Sequence, residues 1–242
     1  MNRSRAITLA ITLVLCTLAL PAEAANLGKK WAEELRRTEE LLVAGEYADA
    51  RKATRRIAQE MVDAMGPGDK AETVLGLVLT FRSLAEAGLG DRGAALWYWH
   101  VALNLDPSLQ EIDLRAFGEH GEFLKAHPLP EHSNVTCADG TEDPLCDQAG
   151  HELEAPKVRK RPRPAYPYGA RAFRESGQLI VQVVIAKDGS VMSPRVLKAL
   201  PAPTLSYVAL EAIRKWRFEP AKLDGVPIDA FYNLTVNYTL GR

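Results

Sequence analysis

The sequence lacks the short motifs that mark the common classes of enzyme active site. It contains no glycine-rich phosphate loop, no Gly-x-Ser-x-Gly and no His-Glu-x-x-His. His100 lies in the apolar and aromatic stretch WYWHVAL, which favours a core position, and His120 lies in EHGEF, which favours the surface. We therefore predict that the protein is not an enzyme and needs no cofactor.

Cysteine is also scarce, with three residues in the whole chain. Cys16 lies in the N-terminal apolar run, which leaves Cys137 and Cys146 as a close pair. In an exported protein such an isolated pair usually forms a disulfide, and we predict one here. No metal site is predicted, because the flanking histidines match no standard zinc spacing. These histidines are His127, His132 and His151.

Long hydrophobic runs are absent after residue 20. Residues 6–20 form an uncharged, mostly apolar run of 15 residues behind Arg3 and Arg5. A membrane span needs about 20 apolar residues, and Ala22-x-Ala24 fits a signal-peptidase site. We predict a signal peptide over residues 1–24, cleaved after Ala24. A retained N-terminal membrane anchor is the alternative.

Amphipathic helices are predicted over residues 26–128. Glycine and proline breaks divide this region into four clear segments, 27–43, 47–65, 70–87 and 92–105, and a less certain one at 109–125. Short connections favour antiparallel helical hairpins. GEYADARKA at Gly45 and GDRGAALWY at Gly90 form a weak internal repeat, and HVALNLDPS is similar to the close of a tetratricopeptide repeat. The sequence predicts a tetratricopeptide-like module, with an unrelated helical bundle as the alternative.

Residues 129–162 are interpreted as a polar loop followed by a basic, proline-rich linker in polyproline II conformation. The sign of the charge changes near the end of this segment. Residues 26–154 carry 13 basic and 24 acidic residues, and residues 155–242 carry 15 and 6. A basic domain could bind nucleic acid, but export argues against it. An acidic segment of a partner is a better match to this charge.

Residues 163–242 combine a strand period with a helix period, which predicts a small α+β domain. A short helix within residues 165–175 precedes a hairpin with strands at 179–185 and 191–197 and a type I′ turn at Asp188-Gly189. Pro194 makes the second strand an edge or bulged strand. Ser206 is the predicted N-cap of the next helix, and residues 228–240 alternate as a final strand. Apolar residues recur at helical spacing between Leu205 and Trp216, which predicts an apolar stripe on that helix.

Large side chains mark the end of the last predicted helix. Trp216 and Phe218 are predicted to anchor that end to the sheet, and Pro220 prevents the helix from continuing. Gly225 and Pro227 are predicted to turn the chain into the final strand. We interpret these residues as fold determinants.

The same residues carry a family resemblance. The motifs YP (166–167), AR (170–171), Gly177, DGxV (188–191), LSYVAL (205–210), WRFEPA (216–221) and GVP (225–227) follow in order. Over about residues 163–240 the chain resembles the C-terminal domain of TonB-family energy transducers. The resemblance implies helices packed on a three-stranded antiparallel sheet, and it implies docking on outer-membrane transporters. In that family the domain captures an extended transporter segment as an added strand, and ExbB–ExbD supplies the energy.

The chain departs from that family in three ways. The basic linker of about 12 residues would reach roughly 37 Å as polyproline II, too short to bridge a periplasm. The N-terminal segment reads as cleavable, and residues 200–203 are LPAP where the family commonly has Ser-Ser-Gly. The first two departures put energy transduction in doubt and leave peptide capture intact.

Three functions therefore remain open. The first is a periplasmic protein that binds a TonB-dependent transporter by strand addition, and the second is an inner-membrane transducer coupled to ExbB–ExbD. The third is an envelope scaffold that acts through the helical module. For the first, the edge of the final strand could instead be covered by its own chain or by a second copy in a homodimer. The predicted partner-binding residues are Tyr166, Pro167, Arg171, Phe231, Asn233, Thr235 and Asn237.

Overall fold

The chain divides into two compact units, Met1–Pro128 and Leu129–Arg242. The structure, a computed structural model, describes residues 22–64, 72–129 and 153–239. Within these ranges no helix is both long enough and apolar enough to cross a membrane. The predicted disulfide between Cys137 and Cys146 and most of the predicted signal peptide lie outside the described residues, so both remain predictions.

The first unit is built from antiparallel helical hairpins, as the sequence predicts. Four helices run in order and each contacts the next: α1 (Ala22–Val43), α2 (Tyr47–Ala64), α3 (Glu72–Gly88) and α4 (Arg92–Leu105). Helix α3 lies at the centre, since every residue from 74 to 87 is buried. This central position explains why α3 is mostly apolar on every side, whereas α1 and α2 carry charged outer faces.

The weak internal repeat of the sequence corresponds to two turns of the same geometry. Gly45 and Gly90 adopt φ of 82° and 83°, the left-handed conformation that glycine accepts at a helix C-terminus. The amide after each glycine donates to a carbonyl five residues earlier, from Glu46 to Leu41 and from Asp91 to Glu86. These are Schellman ends separated by 45 residues, and each reverses the chain into the next helix of its hairpin.

The predicted fifth helix over residues 109–125 is wrong as a continuous element. The chain forms two 3₁₀ turns, Pro107–Glu111 and Arg115–Phe117, before helix α5 (Gly118–Lys125). The Asp113 carboxylate accepts the Arg115 amide at 2.9 Å, a local turn that competes with helical hydrogen bonds. Gly118, at φ 57°, then redirects the chain into α5.

The second unit has a three-stranded antiparallel sheet with helices, which confirms the predicted α+β class. The sheet has the order β4–β3–β8, from strands β3 (Gly177–Ile185), β4 (Val191–Lys198) and β8 (Ala230–Tyr238). Helix α6 (Tyr168–Ala172) precedes the sheet and helix α7 (Pro203–Ile213) lies between β4 and β8 in sequence. The core is formed by buried residues of α7, of alternate sheet positions and of the segment just after α7, among them Leu179, Val181, Val183, Ile185, Leu205, Ala209, Ile213, Trp216, Leu234 and Val236.

Short strands surround this sheet, and two of them lie in the predicted linker. Strand β1 (Leu153–Glu154) pairs with β6 (Ala221–Leu223), which pairs in turn with β7 (Val226–Ile228). Strand β2 (Lys157–Lys160) pairs with β5 (Arg217–Glu219). The interpretation of residues 157–160 as polyproline II is therefore wrong, because these residues are held in a β-ladder.

Two Asp-Gly pairs lie in the described residues, and the type I′ turn predicted for Asp188-Gly189 is found at the other pair, Asp224-Gly225. A type I′ turn needs positive φ at both central residues. Asp224 and Gly225 meet this requirement, with φ of 51° and 78°, and join β6 to β7. At the predicted site, of Asp188 and Gly189 only Gly189 has positive φ, and the Ala186 amide donates to the Ser190 carbonyl around a three-residue loop.

Helix α7 begins earlier than its predicted cap. Ala202 occupies the N-cap position and Pro203 the first turn, a position at which proline loses no helical hydrogen bond. The Ser206 hydroxyl instead accepts the Leu200 amide at 3.1 Å. The predicted apolar stripe is confirmed, because Leu205, Ala209 and Ile213 are buried.

Candidate functional site

One long edge of the central sheet is unpaired. Strand β8 pairs with β3 over its full nine residues, from Tyr238 opposite Gly177 to Ala230 opposite Ile185. Among the described residues no strand pairs with the opposite side of β8. The second unit therefore presents a row of backbone amides and carbonyls that can accept another strand.

The register decides which residues carry the free backbone groups. In an antiparallel ladder both polar groups of a residue point to the same side, and the side alternates along the strand. The Thr235 carbonyl accepts a side-chain hydrogen bond on the side away from β3, and the Ala186 amide of the neighbouring strand points towards β4. Both observations place the odd-numbered backbone groups of β8 on the open edge: Phe231, Asn233, Thr235 and Asn237.

The other edge of the sheet is poorly suited to strand addition. The ladder between β3 and β4 shifts register twice, and Ser193 adopts φ 47° within β4. Pro194 follows in the same strand and has no amide hydrogen to donate. Bulges and proline are the features that keep edge strands from pairing with other chains. The regular edge of β8 is thus the better of the two for a partner strand.

A short segment, residues 161–165, flanks the C-terminal half of β8, and we call it the strap. The Trp216 indole donates to the Pro162 carbonyl at 3.0 Å, and the Tyr238 hydroxyl donates to the Ala165 carbonyl at 3.2 Å. Strap residues and β8 together line a cavity of about 670 Å³. This volume lies within the range of ligand-binding pockets. The lining residues are Arg161, Pro162, Arg163, Pro164, Tyr166, Trp216, Val236, Asn237, Tyr238 and Thr239.

The strap carries positive charge next to aromatic rings. The Arg161 guanidinium lies 4.5 Å from the centre of the Trp216 ring and donates from Nη2 to the Thr235 carbonyl at 3.0 Å. Burial, reinforced by the neighbouring Tyr166, raises the pKa of Tyr238. Its hydroxyl therefore stays protonated as a donor to the strap. The arrangement offers backbone hydrogen bonds, aromatic surface and cations, which suit an extended peptide.

The residues predicted from the family motif occupy different environments. Tyr166 lines the cavity, packs edge-on against the Tyr238 ring at 5.3 Å between centres, and donates its hydroxyl to the Glu175 carbonyl. Arg171 is exposed and lies 5.6 Å from the centre of the Tyr166 ring. Pro167 is buried and sets the start of α6. Of these three, Tyr166 and Arg171 are placed where a partner could reach them.

Residues that the sequence reasoning missed complete the site. The sequence analysis places Arg161 in the linker, Trp216 at a fold anchor and Tyr238 within the final strand, with no functional role for any of them. Trp216 is buried, as predicted, yet its indole nitrogen is 54 residues along the chain from the carbonyl that it contacts. No local pattern indicates such a long-range contact. The density of basic residues in KVRKRPRP was the one signal in the sequence that this segment does more than connect.

A comparison with protein families identifies the second unit. Residues 162–240 match the family model described as "Gram-negative bacterial TonB protein C-terminal". These residues form a TonB C-terminal domain. The match begins inside the strap and ends just beyond β8, so it covers the central sheet and α7.

Curated relatives support the same assignment for this part of the chain. Protein TonB of Escherichia coli strain K12 is 37% identical over 67 residues, which is 28% of each chain. Protein TonB of Salmonella typhimurium is 34% identical over 97 residues, 40% of each chain. The chain thus spans between about a quarter and two fifths of the length of the curated relatives it matches.

A solved structure of a TonB C-terminal domain is also similar to this region. The solution NMR structure of the Pseudomonas aeruginosa TonB domain is 25% identical and covers 37% of this chain and 90% of that chain, with a TM-score of 0.32.

Proposed function

We propose that the TonB C-terminal domain of this protein captures an extended segment of an outer-membrane TonB-dependent transporter. The segment adds as a fourth strand along the open edge of β8 and so supports transport across the outer membrane. The protein would act in the periplasm. The family resemblance motivates the choice of partner, and the edge geometry motivates the mode of binding.

The regular, unpaired edge of β8 is the observation that carries this proposal. Its four outward-facing residues, Phe231, Asn233, Thr235 and Asn237, offer up to eight backbone groups to a partner chain. Backbone pairing supplies affinity with little dependence on sequence, and side-chain pockets supply specificity. The cavity beside Tyr166 and Trp216 is the adjacent space for a partner side chain.

Amide hydrogen exchange measured by NMR on the full chain tests this proposal residue by residue. The probe is a synthetic nine-residue peptide from the periplasmic N-terminus of an outer-membrane transporter of the same bacterium. Binding should slow exchange of the outward amides of Phe231, Asn233, Thr235 and Asn237, because each gains a hydrogen bond. The inward amides of Tyr232, Leu234 and Val236 are already bonded to β3 and should change little.

Two matched controls separate backbone pairing from side-chain contact. Asn233→Pro removes one outward donor, leaves the ladder to β3 intact and should abolish or strongly weaken binding. Asn233→Thr changes the same exposed side chain, keeps the amide and should bind as the wild type does. A peptide with proline at alternate positions should fail to bind. Unchanged exchange at all four outward amides under saturating peptide would contradict the proposal.

A further inference from the structure

Arg161 occupies a position on β8 that an added strand would need. Its Nη2 donates to the Thr235 carbonyl at 3.0 Å, at the third of the four outward-facing residues. The same guanidinium lies 4.5 Å from the centre of the Trp216 ring, a cation–π contact that holds it in this place. One backbone acceptor of the open edge is therefore already satisfied by the domain itself.

The strap that carries Arg161 is fixed at both ends. Strand β2 precedes it, with Lys160 paired to Arg217, and α6 follows it. Between these ends, Trp216 holds the Pro162 carbonyl and Tyr238 holds the Ala165 carbonyl. Pro162 and Pro164 restrict the backbone further. Because the strap is tethered along its length, the Arg161 side chain can move away from Thr235 only by changing its own rotamer.

The two halves of the open edge differ as a consequence. Thr235 and Asn237 lie beside the strap and its cavity, whereas Phe231 and Asn233 lie in the half of β8 outside the cavity lining. A partner strand can pair with Phe231 and Asn233, in the N-terminal half of β8, without disturbing the domain. It can pair with Thr235 only after Arg161 has released the carbonyl.

We infer that Arg161 is a latch that closes the C-terminal half of the β8 edge in the unliganded domain. Capture of an extended peptide exchanges the Arg161–Thr235 hydrogen bond for a backbone hydrogen bond from the peptide. The inference rests on the proposed strand addition and goes beyond it, because it makes the free domain self-inhibited. Apparent affinity falls in proportion to the fraction of the domain that is open.

Removing the latch should therefore strengthen peptide binding. A hydrogen bond from a charged donor on a partly exposed surface corresponds to a gain of about three- to tenfold in affinity when it no longer has to be broken. The experiment measures Kd for the nine-residue transporter peptide with the full chain, using wild type, Arg161→Ala and Lys198→Ala. Lys198 is the control for the loss of one positive charge, since it is exposed at the end of β4, on the opposite side of β3 from β8 and outside the cavity lining.

The expected result is a lower Kd for Arg161→Ala and an unchanged Kd for Lys198→Ala. Without peptide, the Trp216 Nε1 resonance should move in Arg161→Ala and stay in place in Lys198→Ala, which verifies the latch in the free chain. Binding by Arg161→Ala alone, with no detectable binding by the wild type, would be the strongest form of support.

The other outcomes overturn the latch, and they are distinguishable from failure of strand addition itself. Weaker binding by Arg161→Ala alone would make Arg161 a direct peptide contact. An equal rise in Kd for both variants would show that only the total positive charge matters. An unchanged Kd for both variants would show that the Arg161–Thr235 contact does not affect peptide binding. If neither the wild type nor Arg161→Ala binds any transporter peptide, the proposed function fails, and the latch fails with it.

Discussion

At the scale of single residues, burial sets the protonation state of His100. It lies in α4 with 3% of its surface exposed, which agrees with the core position expected from its apolar neighbours. Burial lowers the pKa of His100 to about 4, and the backbone carbonyls of His127 and Pro128 oppose part of that shift. The imidazole is therefore neutral at the pH where most proteins are handled.

This burial predicts a pH dependence for the helical unit. The unfolded chain takes up a proton on His100 near pH 6.5, whereas the folded unit takes it up near pH 4. The free energy of unfolding should therefore fall as the pH drops from 6.5 to 4, by about 3 kcal/mol in total. Urea titrations followed by circular dichroism at 222 nm across this range measure the slope.

The matching variant is His100→Gln, which has no proton to gain. Between pH 6.5 and 4, the unfolding free energy of this variant should fall by about 3 kcal/mol less than that of the wild type, whatever its absolute stability. Equal slopes for the two proteins would show that His100 does not control the acid sensitivity of this unit.

At the scale of elements, a buried ion pair joins three helices of the first unit. Arg82 Nε donates to Glu86 Oε1 at 2.6 Å within α3, and both side chains are less than a tenth exposed. Arg82 Nη1 also donates to the Arg51 carbonyl of α2 at 3.2 Å, and its guanidinium lies 4.9 Å from the centre of the Tyr98 ring of α4. Helix α3 thus carries a polar cluster inside an otherwise apolar interface.

Removing one partner of the Arg82–Glu86 pair should lower the unfolding free energy more than replacing both partners with apolar residues. Glu86→Leu leaves the Arg82 charge buried without its closest partner and should lower the unfolding free energy by about 3–5 kcal/mol. The double variant Arg82→Met, Glu86→Leu should recover most of that loss, because no buried charge remains. A double-mutant cycle by urea unfolding measures the difference. A double variant that is as unstable as the sum of the two single variants would contradict this account.

The Asp-Gly turns show that the position of a turn can be inferred from the sequence more easily than its type. The Asp-Gly signal indicates a reversal at Asp188-Gly189 and at Asp224-Gly225, its two occurrences within the described residues, and both reversals are present. It does not distinguish their types, because the three-residue loop at Gly189 depends on a distant contact. The Phe218 amide donates to the Gly189 carbonyl at 2.9 Å, and a Cβ at Gly189 would lie 1.9 Å from the Phe218 carbonyl oxygen. The anchor region after α7 therefore fixes the geometry of the first hairpin.

At the scale of the whole molecule, the spacing of apolar residues was sufficient to predict the helices and strands that bury one face. The four main helices, the α7 stripe and the alternation of β8 were predictable, since each repeats an apolar position at a fixed interval. Periodicity also placed Asn233, Thr235 and Asn237 on one side of the final strand, but which edge of the sheet stays open depends on the strand order, which periodicity does not give. The strap, the strands β1 and β2 and the Arg161 contact were not predictable, because exposed basic residues carry no periodic signal and their partners lie 50 to 80 residues away.

The N-terminal boundary of the TonB C-terminal domain can be tested with two fragments. The sequence places that boundary at residue 163, whereas β1 and β2 pair with β6 and β5 from residue 153 onwards. A fragment of residues 153–242 should unfold cooperatively. A fragment of residues 163–242 should be less stable by about 2–4 kcal/mol, because it loses several ladder hydrogen bonds and the Trp216 contact to Pro162.

A substitution in the longer fragment serves as the control for chain length. Lys157→Pro removes the ladder amide opposite Glu219 while the fragment keeps every residue from 153. The Phe218 amide and carbonyl face Gly189, so those of the neighbouring Glu219 face β2. The stability of this variant should fall towards that of the shorter fragment. Thermal unfolding followed by Trp216 fluorescence compares the three, since Trp216 is the sole tryptophan after residue 153. Equal stability of all three would place the boundary at residue 163 and would show that β1 and β2 do not stabilise the domain.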